Sequence, residues 1–143
     1  MSNNSPGAGA SHASPGPLSA QSLQASLTVN DLPQSVDWYR DVLGFTVARE
    51  FERDGRRFAA SLQAGIVRIL LTQDDGAKGL DRAKGVGFSL QITTEQDIDA
   101  LAARAQKAGA RLETEPATVM GARVFRLRDP NGFLWVVSSP RAR

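Results

Sequence analysis

An alternation of apolar and polar positions begins at Leu23 and continues to Val29. This period of two predicts a strand with one buried face. Asp31 then offers an N-cap and Pro33 is tolerated in a first helical turn, so a helix is expected next. Gly44 supplies the left-handed backbone conformation at which such a helix ends.

Three further strands complete this first unit, and glycine-containing turns separate them. The turns are Asp54-Gly55 and Ala64-Gly65, both suited to tight hairpins. The predicted strands are Phe45–Phe51, Arg57–Gln63 and Val67–Gln73. The unit is therefore βαβββ.

The same order of elements returns after a polar, aperiodic connection. A helix over Gln96–Ala108, capped by Thr94 or a neighbour and ended by Gly109, is expected to follow the first strand of this second unit. The predicted strands are Val86–Ile92, Arg111–Glu115, Arg123–Arg128 and Phe133–Ser138, with a tight turn at 129–132. Because four strands and one helix leave one sheet face uncovered, two such units are expected to pair. We therefore predict an α+β fold of two βαβββ modules whose curved mixed sheets pair around a cleft.

The domain organisation follows from this pattern and from the composition of the N-terminus. Residues 1–21 are dominated by Ser, Gly, Ala and Pro and predict a disordered tail, which contains His12. Residues 22–140 form one domain, with module one at 22–74, a linker at 75–84 and module two at 85–140.

Composition and charge exclude several classes of functional site. The 143 residues include one His and no Cys, which excludes disulfides and thiolate sites and leaves little room for imidazole chemistry. With no long apolar run and no secretory signal, we expect a cytoplasmic protein without a membrane segment. A net charge of +2 does not by itself argue for nucleic acid.

Three motifs resemble those of the vicinal oxygen chelate superfamily, which includes glyoxalase I, extradiol dioxygenases, and fosfomycin- and bleomycin-resistance proteins. They are the run Val29–Phe45 (VNDLPQSVDWYRDVLGF), Lys107–Ala110 (KAGA) and Arg128–Phe133 (RDPNGF). The resemblance covers residues 23–138. It implies the paired-module fold and a homodimer.

In that family a metal is held by one His or Glu side chain from each of four strands. The resemblance places these positions on Gln24, Leu70, Gly87 and Val136. Only Gln24 offers a side-chain oxygen, and a catalytic divalent site needs about three protein ligands. We therefore expect a member without the metal site and without a cofactor.

Strand parity defines the candidate ligand-binding residues that share a face with those four positions. They are Gln24, Ser26, Thr28, Arg68, Leu70, Gly87, Ser89, Gln91, Leu134 and Val136, with Thr72 on the same parity. This mixture of neutral polar and aliphatic side chains suits an organic ligand. The alternative is a solvated concave surface with no ligand.

Several single residues also carry two interpretations. Arg68 either clamps an anionic group of the ligand or extends to water beside an acidic side chain. Trp38 and Tyr39 either stack on a planar ligand or, as their helical spacing favours, pack in the core. The arginines at 123, 126 and 128 are assigned to a solvated strand edge rather than to a nucleic-acid site.

Two functions therefore remain open. The first is a metal-independent protein that sequesters an aromatic or amphipathic small molecule, as in bleomycin resistance, although a cationic drug does not suit a face bearing Arg68. The second is a divergent lyase, isomerase or dioxygenase-like enzyme, which would need Glu50, Glu113 or Glu115 to point inward as a base. A module for protein interaction, without a small ligand, is a third possibility. The missing metal ligands favour the first.

Overall fold

The computed structural model describes residues 14–140. Its elements are β1 (Ala25–Val29), α1 (Leu32–Trp38), a π-helical turn (Tyr39–Leu43), β2 (Thr46–Arg53), β3 (Arg56–Ala64), β4 (Val67–Gln73), β5 (Ser89–Thr93), α2 (Ile98–Lys107), β6 (Leu112–Val119), β7 (Ala122–Arg128) and β8 (Leu134–Ser139). The predicted tail lies largely outside the described residues, as does His12. Residues 14–21 are exposed and form no helix or strand. No helix in the described part of the chain is long and apolar enough to cross a membrane.

The two sheets repeat one topology. Sheet one has the order β1-β4-β3-β2 and sheet two the order β5-β8-β7-β6. In each sheet the first strand runs parallel to the last strand of its module, and the other pairs are antiparallel. The predicted α+β class and the two βαβββ modules are thus confirmed.

Local signals fix the first helix as predicted. The Asp31 side chain accepts a hydrogen bond from the backbone N–H of Gln34 at 3.0 Å, which satisfies one free donor of the first turn. The helix continues into the π-helical turn, which ends at Gly44 with φ 80°. Such a positive φ is accessible to glycine at little cost.

The start of module two differs from the prediction. The first strand begins at Ser89 rather than at Val86, because Gly85 and Gly87 adopt φ values of 74° and 88° and fold the chain into a turn. The second helix is capped by Asp97 and begins at Ile98, later than expected.

The strand β6 also differs from its predicted length. It continues to Val119, well beyond the predicted end at Glu115. Its pairing with β7 is irregular on both sides of Thr114, and Pro116 lies within the second irregularity. The two irregularities interrupt the alternation that sequence reasoning relied on.

One hydrophobic cluster unites the two modules. It includes one face of each sheet and both helices, with Leu71 and Val36 from module one and Ala102 and Trp135 from module two. The helices cover the inner faces of the sheets. The face of each sheet opposite the helices, which we call its open face, therefore lies on the outer side of this shared core.

Candidate functional site

The open face of sheet one collects most of the predicted module-one residues. The register places Ser26 opposite Leu70 and Thr28 opposite Thr72 in the parallel pair β1–β4. Ser26 is exposed, whereas Leu70 is half-buried. Gln24 precedes β1 and is exposed. The sequence therefore predicted correctly that Ser26, Thr28, Leu70 and Thr72 share one face.

The open face of sheet two has a similar composition. Ser89 lies opposite Leu134 and Gln91 opposite Val136 in the pair β5–β8. Val136 is 8% exposed, so neighbouring side chains already cover this aliphatic position. Gly87 does not belong to the sheet as predicted, because it lies in the turn that precedes β5.

Arginine side chains are the main charged groups on these faces. Arg68 is exposed and forms no ion pair in residues 14–140, so its expected acidic neighbour is not observed. Arg126, which lies opposite Val136 in the pair β7–β8, likewise forms no ion pair in that range. Both open faces therefore present an uncompensated positive charge.

The assignment of Arg126 to a strand edge was wrong. β7 lies between β6 and β8, so Arg126 projects from the middle of sheet two. Its neighbours in sequence are compensated: Arg123 pairs with Asp99 at 2.8 Å and Arg128 with Glu113 at 3.0 Å. The alternation of arginines with Val124, Phe125 and Leu127 was the signal that could have placed Arg126 on the open face.

The family's metal does not fit this set of donors. Gln24 offers a neutral amide, Leu70 and Val136 offer hydrocarbon, and Gly87 lies outside the strand; Ser89, which opens β5, carries only a hydroxyl. Divalent transition metals need imidazole, thiolate or carboxylate ligands, about three of them from the protein. Within residues 14–140 no group of three His, Asp or Glu side chains is gathered closely enough to hold a metal ion.

The three candidate bases are all engaged. Glu50 forms an ion pair with Arg57, and Glu113 forms one with Arg128. Glu115 accepts a hydrogen bond from the side-chain amide of Gln106, which lies on α2. Since Gln106 belongs to the helix side of sheet two, Glu115 is turned away from the open face.

Of the two aromatic side chains near α1, Tyr39 packs in the core, as its helical spacing favoured, and Trp38 is half-buried against that core. Tyr39 is fully buried and lies edge-on to Trp38, with ring centroids 4.8 Å apart. Its hydroxyl donates to Asp129 Oδ2 at 2.6 Å and accepts from Trp135 Nε1 at 2.9 Å. Burial, with the Asp129 carboxylate beside it, raises the pKa of Tyr39 far above its ordinary value.

Trp135 of β8 packs across the boundary between the modules. Its ring contacts Tyr39 and Phe45 of module one, at centroid distances of 5.7 and 5.9 Å. Asp129 and Asn131, which the sequence marked only as turn residues, join this contact, because Asn131 Oδ1 accepts from the Asn30 backbone N–H at 2.8 Å. The turn thus connects the modules.

A cavity of about 400 Å³ lies between the modules on the helix side. Its lining includes Phe45 and Leu43 of module one with Phe125 and Arg104 of module two. None of the ten predicted site residues lines it. The open faces and this inter-module cavity are therefore separate surfaces.

Comparison with known proteins gives the same fold. A family model described as the Glyoxalase/Bleomycin resistance protein/Dioxygenase superfamily matches residues 21–137. Among proteins with curated functions, none matches the chain significantly.

Solved structures resemble it throughout the described domain. TioX from Micromonospora sp. ML1 has a TM-score of 0.66 and 23% identity, covering 84% of this chain and 98% of its own. A glyoxalase/bleomycin resistance protein/dioxygenase from Nocardioides has a TM-score of 0.62 and 21% identity, covering 87% and 86%. A glyoxalase I mutant from Zea mays has a TM-score of 0.71 and 24% identity, covering 85% of this chain and 44% of its own. At these identities the likeness concerns the fold alone.

Proposed function

Because the chain belongs to the Glyoxalase/Bleomycin resistance protein/Dioxygenase superfamily, we propose that it is a metal-independent cytoplasmic protein that sequesters an aromatic or amphipathic organic molecule. The observation that carries this proposal is the register of the open faces. It sets Ser26 beside Leu70 and Gln91 beside Val136, so hydrogen-bonding and aliphatic groups alternate. Such a surface orients an organic ligand through a few polar contacts around apolar ones.

A homodimer would complete the binding cleft. Within one chain both open faces lie outside the shared core, and strands of one sheet do not pack on strands of the other in the described residues. In the proposed dimer the open face of sheet one meets the open face of sheet two from a second copy. The half-buried Leu70 and Leu134 would then gain apolar contact on association.

Charge limits the ligand class. Arg68 and Arg126 make both faces positive, which disfavours cationic drugs. A neutral or acidic molecule with an aromatic or aliphatic body satisfies both the arginines and the aliphatic positions. Bleomycin itself does not suit these faces.

The test combines thermal-shift screening with measurement of mass in solution. A ligand present at 100 times its dissociation constant is expected to stabilise the protein by about 2.7 kcal/mol. Ser26→Trp, which fills the open face beside Leu70, should abolish that shift. Ala103→Trp, at an exposed position on α2, is the matched control and should preserve it.

Four results would contradict the proposal. A broad library that leaves the melting temperature unchanged would favour an interaction module, and a monomer at micromolar concentration would remove the dimeric cleft. Conversion of a bound compound, followed by mass spectrometry, would favour the enzymatic alternative. Elemental analysis showing about one transition metal per chain, lost on Gln24→Ala, would overturn metal independence.

A further inference from the structure

The inter-module cavity has the size and walls of a ligand site. Its volume of about 400 Å³ lies within the range of about 300–1,000 Å³ that small-molecule pockets occupy. Its half-buried apolar lining comes from both modules, with Leu43 and Ala64 from module one and Ile92 and Leu101 from module two. These walls would surround an apolar ligand body on two sides.

One positive charge lies in this lining, and no acidic side chain accompanies it. Arg104 lies on α2, and its Nη2 donates to the Leu43 carbonyl at 2.9 Å. Within residues 14–140 no carboxylate lies within ion-pair distance of this guanidinium. A guanidinium has five N–H donors, so several remain for a planar anion.

Gly44 makes room for the guanidinium at the cavity wall. A Cβ atom built on Gly44 would lie 2.5 Å from Arg104 Nη2. The backbone thus approaches the side chain closely, and the hydrogen bond to Leu43 limits the orientations of the guanidinium. The cation is held at the wall before any ligand enters, which lowers the entropic cost of binding.

The mouth of the cavity is apolar or neutral. Ile66, in the turn between β3 and β4, is completely exposed, and Val67 beside it is 38% exposed. Thr94 and Gln96 are the neutral polar residues nearby, and they hydrogen bond with each other at 3.2–3.3 Å. An entering molecule would meet both this apolar surface and the exposed Arg104 guanidinium.

From this combination we propose that the inter-module cavity binds an amphipathic organic carboxylate. The carboxylate pairs with the Arg104 guanidinium, and the apolar body lies against the half-buried Leu43, Ile92 and Leu101. This site is distinct from the open faces, and the proposal holds whether or not those faces bind a ligand. Charge complementarity selects the occupant, because the lining offers one cation and no anion.

Titration calorimetry with octanoate, 1-octanol and octylammonium tests the proposal on the full chain. Octanoate should bind, 1-octanol about ten- to a hundredfold more weakly, and octylammonium more weakly still, since a charge-assisted hydrogen bond contributes about that factor. Arg104→Gln should remove the preference for octanoate. Lys107→Gln, an exposed cation on the same helix outside the lining, is the matched control and should keep it.

A cavity-filling variant locates the site. Ala64→Phe, in the lining, should weaken octanoate and 1-octanol alike, while Ser26→Trp on the open face should leave the octanoate binding that depends on Arg104 unchanged. Circular dichroism and thermal melts without ligand establish that each variant is folded. Where Ala64→Phe does not fold, Leu101→Phe takes its place.

Four outcomes would overturn the proposal. They are undetectable octanoate binding at millimolar concentration, equal affinity for octanoate and 1-octanol, unchanged octanoate affinity in Arg104→Gln, and loss of octanoate binding in Ser26→Trp. Dissociation of a dimer by Ile66→Asp, with octanoate binding unaffected by Ala64→Phe, would show instead that a second copy covers the cavity.

Discussion

At the scale of single residues, Tyr39 shows what the sequence could and could not predict. Helical spacing placed its ring correctly in the core. Its hydroxyl partners, Asp129 and Trp135, follow 90 and 96 residues later and belong to the other module. Periodicity reports only which face of its own helix or strand a residue lies on, so it could not predict contacts between residues this far apart in the sequence.

Because of the Tyr39 hydroxyl, we expect the free energy of unfolding to change measurably at alkaline pH. Tyr39 is the sole tyrosine, and its pKa is raised in the folded state, so the unfolded chain loses this proton first, near pH 10.0. Stability should therefore fall as the pH rises above about 10. Absorbance of tyrosinate at 295 nm should appear only together with unfolding measured by circular dichroism.

Tyr39→Phe tests the same contact at neutral pH. The variant leaves the Asp129 carboxylate and the Trp135 N–H without their shared partner, which should lower the free energy of unfolding by about 1–3 kcal/mol in urea titrations. It should also remove the tyrosine contribution to the alkaline slope. A variant as stable as the wild type would show that the hydrogen bonds contribute nothing net.

At the scale of elements, local chemistry decided which predictions were correct. The cap at Asp31 and the left-handed Gly44 act within a few residues, and both were confirmed. The predicted start of β5 was wrong because Gly85 and Gly87 alternate with apolar residues, a pattern that is also typical of a strand. The exposed Arg126 was misassigned because strand order within a sheet has no local signature.

Gly44 and Gly109 each end a helix, and alanine variants at these two positions distinguish the cost of backbone strain from the cost of side-chain crowding. Gly44 and Gly109 have φ values of 80° and 99°, so an alanine at either position should cost about 1–2 kcal/mol. Only at Gly44 would the added methyl also displace the Arg104 guanidinium, since nothing lies within 4 Å of a Cβ at Gly109. Urea unfolding should therefore show a larger loss for Gly44→Ala. Equal losses would mean that Arg104 moves aside without cost.

At the scale of the whole molecule, the sequence predicted the two modules but not how they join. A charged cluster in the linker forms part of that joint. The buried Asp74 accepts from Arg82 and Lys84, each at 3.0 Å, and Lys84 also donates to the side chain of Asn30. These side chains connect the end of module one to the start of module two, which composition alone marked only as a polar linker.

The cluster of Asp74, Arg82 and Lys84 should make the free energy of unfolding depend on pH in the acid range. The backbone N–H of Gly76, with Lys84 and Arg82, lowers the pKa of Asp74 to about 2 from 3.8. The unfolded chain therefore takes up this proton first, and stability should decline as the pH falls from about 4 to about 2. Urea titrations across this range should show a smaller decline for Asp74→Asn.

Asp75→Asn is the matched control for this acid response. Asp75 is exposed and forms no ion pair in residues 14–140. Its variant should keep the full decline between about pH 4 and pH 2. The same slope in Asp74→Asn and wild type would contradict a role for the cluster.

β2 and β6 each form one edge of their sheet, with β1 and β5 at the opposite edges, and their sequences affect how copies of this protein can add to one another. β2 carries Arg49, Glu52 and Arg53 and two register shifts, and β6 carries Pro116, which lacks an N–H to donate. Neither border offers a regular ladder for a further chain to extend. Growth into fibrils by strand addition is thereby discouraged at these two edges, one in each sheet.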